Sequence, residues 1–208
     1  MKMKIWLLSL LTTLSLVAIG RAQAPEAEAA TETGRTVALV AIGEVDTSLV
    51  ERVRAWVEHV TALPVHVLAA REAQADTLYD EALLAAESME ADDVCLVGLV
   101  GSGHSAEDHT VSVYEKNVSV INLQVLKPDP EDAELFGRRV ERLAVRSYGF
   151  LLGAQPVPIM ESALFPYKDL AGLDQMGRGL DPPSMGAVQK AAAERGVKLD
   201  EDNPFYIR

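Results

Sequence analysis

One short stretch of this 208-residue chain gathers the residue types that metal and acid–base chemistry use. Gly101 to His109 reads G-S-G-H-S-A-E-D-H, so His104, Glu107, Asp108 and His109 put two imidazoles and two carboxylates close together. Imidazole nitrogens and carboxylate oxygens are ordinary donors for divalent cations. The spacing matches no established ligand template, which leaves His104 and His109 as metal candidates without a template, on a stretch that reads first as a solvated loop. Ser147 can be joined on paper with His104 and Asp108 into a hydroxyl–imidazole–carboxylate relay, but no G-x-S-x-G turn surrounds it. Cys95 is the single cysteine, so neither an internal disulfide nor a cysteine-built zinc cluster can form. Its setting, D-D-V-C-L-V-G-L-V, is that of a buried strand rather than of a reactive thiol.

The elements around these residues read as an α/β alternation. Thr36 to Ile42 (T-V-A-L-V-A-I) is a continuous β-branched run and predicts a buried strand. Asp46 can cap a helix over Thr47 to Thr61, where Leu49, Val50, Val53, Trp56, Val57 and Val60 recur at helical spacing. Leu63 to Leu68 predicts a second strand, Asp76 to Met89 a second helix, and Asp93 to Val100 a third, central strand. Thr110 to Tyr114 and Val118 to Leu126 predict two more, joined through Glu115-Lys116-Asn117. A long helix then follows with Asp129 as its cap and Pro130 at its first position, ending at Gly153. Gly149 inside that helix costs about 1 kcal/mol against Ala, which implies a close neighbour. Pro156 to Pro183 reads as loop, and Ser184 as the cap of a last helix ending near Arg195.

The first 22 residues have the order of a secretory signal peptide: Lys2 and Lys4, an apolar run from Ile5 to Ile19, then Gly20 and Ala22. The run is short for a span of about 20 residues. Residues 23–35 read as an acidic linker and 36–208 as one domain. Removing a leader that holds Lys2, Lys4 and Arg21 and no acid takes the formal charge from −12 to −15. Such a chain repels phosphate, so nucleic acid is excluded as a partner. A secreted or periplasmic protein with no stable membrane span after cleavage is expected.

Four segments together resemble the archaemetzincins, small zinc metallopeptidases of the metzincin group. V-A-L-V-A-I-G-E-V-D (Val37 to Asp46) is similar to that family's opening strand and turn, and L-P-V-H-V-L (Leu63 to Leu68) to its second strand. Val118 to Leu126 stands where the family has the strand before its active-site helix, and Arg139 to Met160 lies over that helix, the Gly turn and the Met-turn. The resemblance spans about Thr36 to Ala163, with a looser match of the last helix. It implies a metzincin-like, mixed and mostly parallel sheet of four or five strands, a long active-site-type helix and a small C-terminal helical subdomain. It also implies an exposed edge strand beside the cleft, which in working metzincins pairs with the substrate backbone.

The family helix carries H-E-x-x-H-x-x-G-x-x-H, in which two His one turn apart and a third beyond the Gly turn grip Zn²⁺ while the Glu acts as base. This chain reads R-S-Y-G-F-L-L-G-A-Q-P there. Arg146 stands at the first His, Ser147 at the Glu, Phe150 at the second His and Pro156 at the third; Gly153 matches the turn and Met160 the Met-turn. A guanidinium only donates, and neither a benzene ring nor a pyrrolidine offers a ligand atom. The family's Cys-bound second zinc has no counterpart, since no cysteine follows Cys95. The expectation is therefore lost zinc, no catalytic residues, and a pseudoprotease that binds a peptide or protein or serves as a scaffold. The runner-up is a zinc metallopeptidase with non-standard ligands. Arg146 is expected either on the surface, or paired with Glu161 or Asp129, or holding an anion such as a peptide carboxylate, and Phe150 as an apolar plug. About 17 residues from Phe165 to Asp181 read as an insertion relative to the family.

Overall fold

The computed structural model describes residues 34–101 and 107–207. The expected leader, His104 and most of the expected linker lie outside them. Five strands form one sheet in the order β2-β1-β3-β5-β4: β1 Thr36–Ile42, β2 Val65–Val67, β3 Asp93–Val100, β4 Thr110–Val113 and β5 Val118–Asn122. All neighbours are parallel except β4, which runs antiparallel to β5 at one edge. This is the mixed, mostly parallel sheet of four or five strands that the family resemblance implied.

Two cores explain why β1 and β3 are apolar throughout. Alternate residues of β1 face opposite sides: Val37, Leu39 and Ala41 pack with α1 (Thr47–Thr61) and α3 (Ala133–Leu151), whereas Ala38, Val40 and Ile42 pack with α2 (Leu78–Ala86). A strand buried on both faces cannot show polar alternation. The first helix begins as its sequence requires, with the Asp46 carboxylate accepting from the Ser48 amide at 2.8 Å. Inside α3, Tyr148 is fully buried and donates to the carbonyl of Ala38 at 2.7 Å, fastening the long helix to the middle of the sheet.

Several boundaries differ from the sequence reading. Arg35, assigned to the linker, pairs with Val197 and donates from its amide to the Gly196 carbonyl at 3.1 Å, so it is tied to the domain. The long helix starts at Asp132 rather than Asp129, because the Asp132 carboxylate is the one that reaches two free amides, Glu134 at 3.0 Å and Leu135 at 2.9 Å. The last helix, α5 (Pro182–Glu194), is capped by Asp181 with Pro182 at its start; Ser184 donates its amide to that cap. The fifth strand stops at Asn122 and Gln124–Leu126 forms a 3₁₀ turn. Within the stretch read as loop lies a short helix, α4 (Leu170–Gln175). No helix among the described residues is long and apolar enough to cross a membrane.

Candidate functional site

The long helix α3 brings Arg146, Ser147 and Phe150 to one cleft of about 530 Å³. Its other walls are Glu107 to Thr110, Ser112 and Tyr114 on the β4 side, and Tyr167 and Lys168 from the inserted segment. Pro156 and Met160 do not line it. Pro156 is exposed, and Met160 is 48% exposed. Met160 accepts with its backbone carbonyl from the Gly177 amide at 2.8 Å. Gly153 does make the turn after α3, with a φ of +92° that a side chain would strain.

Arg146 is half-buried, and neither Glu161 nor Asp129 is its partner. One terminal nitrogen donates to the carbonyls of Ala163 at 3.1 Å and Phe165 at 2.9 Å. Its guanidinium carbon lies 4.6 Å from the centre of the Phe150 ring and 5.3 Å from that of Tyr167. Phe150 is thus less a plug than a platform for the cation. Burial, partly offset by Tyr167, lowers the Arg146 pKa from its ordinary value, yet an arginine stays charged at any working pH. Its Nε and other terminal nitrogen have no hydrogen-bond partner among the described residues, and neither is sealed from solvent.

Ser147 is buried, and its hydroxyl is engaged by a neighbouring serine. Ser112 Oγ donates to Ser119 Oγ at 3.0 Å, and Ser119 Oγ donates to Ser147 Oγ at 3.1 Å. This hydroxyl chain ties β4, β5 and α3 together. The relay with His104 and Asp108 has no support, since Asp108 is exposed and His104 lies outside the described residues. His109 stacks on Tyr167 with ring centres 5.6 Å apart and an angle of 6°, and its Nδ1 shares a hydrogen bond with the Tyr167 hydroxyl at 3.2 Å. Burial, and then the Arg139 charge, push the His109 pKa down, which favours the neutral ring. Cys95 is buried and its thiol is pushed up to about 12 by that burial, an inert group.

The cleft runs along the free edge of β4. The His109 carbonyl accepts from the Asn122 amide at 3.0 Å. In an antiparallel ladder, bonded and unbonded pairs alternate, so Val111 and Val113 bond to β5 while Thr110 and Ser112 turn their amides and carbonyls outward. Thr110 and Ser112, whose backbone groups have no partner among the described residues, both line the cleft.

A zinc ion does not fit these residues. Arg146 presents donors only, Phe150 presents a ring face, and the Ser147 oxygen is engaged inside the hydroxyl chain. Among the described residues no three His, Cys, Asp or Glu side chains are grouped to hold a metal; His109 stands with Tyr167 instead. Sequence reasoning missed Tyr167, Lys168, Thr110 and Ser112. The aromatic–cation pair in F-P-Y-K-D-L, set just before the Asp169 cap of α4, was the available signal for the first two.

No protein-family model matches the chain, and no curated protein matches it. Solved structures do. An archaemetzincin from Methanopyrus kandleri is similar with a TM-score of 0.62 at 15% identity, covering 78% of this chain and 99% of that one. A zinc-dependent peptidase from Methanocorpusculum labreanum gives 0.62 at 12% identity, covering 73% and 99%. An archaemetzincin from Archaeoglobus fulgidus, complexed with malonate, gives 0.59 at 14% identity, covering 73% and 99%. The fold is archaemetzincin-like.

Proposed function

We propose that an archaemetzincin-like fold serves here as an exported peptide- or protein-binding module that hydrolyses nothing. The observation that carries this reading is Arg146, a donor-only cation resting on Phe150 in a cleft beside a free strand edge. Loss of zinc removes the Lewis acid and activated water, while the edge needs only its backbone amides and carbonyls to pair with an extended chain. The leader-like first 22 residues support export. The fold likeness to a protein named as a zinc-dependent peptidase supports peptides as the ligand class.

The test is metal analysis of the purified protein together with incubation of a mixed peptide library, with and without a chelator. The expected result is no stoichiometric zinc, no cleavage, and retention of peptides on immobilised protein. Tightly held zinc with chelator-sensitive cleavage would refute the reading and establish a peptidase with non-standard ligands. Absence of both cleavage and retention would leave a scaffold role.

A further inference from the structure

We infer that the occupant of this cleft is an extended peptide whose carboxylate docks on the free edge of the Arg146 guanidinium. The inference rests on the peptide-binding reading above and adds the chemistry that selects the ligand. A guanidinium has five N–H donors in a planar fork. The hydrogens of one terminal nitrogen point at the Ala163 and Phe165 carbonyls. The remaining donors sit on Nε and the other terminal nitrogen, side by side and unpartnered among the described residues. That edge matches the two oxygens of a carboxylate.

The fork is also held still. Phe150 and Tyr167 contact the guanidinium, the two carbonyls fix its rotation, and Tyr167 is itself held by its hydrogen bond and stacking with His109. A receptor ordered before binding loses little entropy when the ligand arrives. Lys168 adds a second cation to the lining, whereas Glu107 and Asp108 bring negative charge to the β4 side. This mixture favours a monoanion over a doubly charged phosphate, and it favours the Arg146 side of the cleft for the charge. Thr110 and Ser112 then offer outward amides and carbonyls to the rest of the chain. The carboxylate can be a chain terminus or an Asp or Glu side chain.

The experiment uses the full chain, immobilised, and a random library of acetylated pentapeptides made once as free acids and once as C-terminal amides. Retained peptides are identified by mass spectrometry. The free acids should be retained about tenfold or more over the amides, and any retained amides should be enriched in Asp and Glu. A preference confined to free acids identifies the terminus as the source; enrichment of acidic amides identifies the side chain. Arg146→Gln should abolish the preference, and Arg146→Lys should restore only part of it, because an ammonium lacks the fork. Because substitutions can disturb the cleft, the Arg146 Nε–H resonance of the unaltered protein is followed as well. It should move on adding a selected acid and stay in place with the matching neutral amide. Equal retention of acids and neutral amides, or a resonance that stays in place, overturns this inference while leaving peptide binding intact. Retention of neither library overturns the peptide-binding reading and the inference with it.

Discussion

Arg142 and Arg146 stand one turn apart on α3 and use the same guanidinium in opposite ways. Arg142 is 8% exposed and faces inward: its Nε donates to the Met176 carbonyl at 2.9 Å and one terminal nitrogen to the Asp174 carbonyl at 3.0 Å, while the other terminal nitrogen is buried without a partner among the described residues. Arg139, one turn earlier, closes the same segment with a two-bond grip on the Asp174 carboxylate at 2.8 and 2.6 Å. Arg146 takes two carbonyls with one nitrogen and keeps the other donors open to a cleft. One row of arginines therefore fastens residues 163–176 to the long helix, Arg139 through a carboxylate and Arg142 and Arg146 through backbone oxygens, a job for which an aliphatic side chain has no donor. The difference between its members lies in where the chain around them ends. The insertion packs over Arg142 and leaves Arg146 at its rim.

The largest expected effect separates the two. Arg142→Ala strands the buried carbonyl of Met176 and the part-buried one of Asp174 and should cost about 3 kcal/mol of unfolding free energy. Denaturant titration measures it, and peptide retention per folded molecule should persist. Arg146→Ala should cost less, about 1 kcal/mol, because Arg146 itself lines the cleft and its two carbonyl bonds are only part-buried, so water can enter the space the side chain leaves. Equal losses for the two variants would place Arg146 with the structural arginines and remove the contrast.

The two regions were not equally legible in the sequence. The bounds of β1, α1 and β3 follow from runs such as T-V-A-L-V-A-I and from the Asp46 cap, because burial on both sheet faces and helical periodicity leave a mark on every residue. That Arg146, Phe150 and Pro156 carry no zinc-ligand atom was legible too, because donor chemistry belongs to the residue type. What those residues do instead was not. The partners of Arg146 are main-chain carbonyls, which no residue type announces, and they come from a segment with little periodicity. Asp174 gives no sign in the sequence that it faces Arg139, 35 positions away. Three acids stand near the start of α3, so the cap could be assigned to Asp129 as well as to Asp132, and only the geometry of two amides decides between them.

A smaller effect tests how firmly the rim is closed. His109 bridges the free-edge side of the sheet to Tyr167, and burial first, then Arg139, hold its pKa below the ordinary 6.5, against an opposing pull from Asp108. The unfolded chain therefore binds this proton more readily than the folded one. The associated stability is present above pH 6.5 and is lost as the pH falls through that value toward the lower folded pKa. Denaturation midpoints measured from pH 8 to 5 should decline in this window, and His109→Asn should flatten the decline. An unchanged slope in that variant would mean that the ring is not the link between β4 and the insertion.

The smallest effect concerns the anchor behind Arg146. A Cβ on Gly149 would lie 3.0 Å from Cδ2 of Leu164, the residue between the two carbonyls that hold Arg146. Ala at a helix interior gains about 1 kcal/mol over Gly, but overpacking a tight core costs about 1–3 kcal/mol. Leu164 is fully buried and has little room to swing away. Gly149→Ala should therefore destabilise the fold by about 0.5 kcal/mol, the clash slightly exceeding the gain in helix propensity. Shortening the neighbour reverses the balance: in a Leu164→Val background the same Gly149→Ala change should stabilise, with a coupling of about 1 kcal/mol between the two sites in a double-mutant cycle. Because a displaced Leu164 carries the Ala163 and Phe165 carbonyls with it, Gly149→Ala alone should also weaken retention of acidic peptides without touching Arg146. A variant that is more stable than the parent and retains those peptides unchanged would show that Leu164 gives way freely, and that the open guanidinium is held by its aromatic platform rather than by the backbone of the insertion.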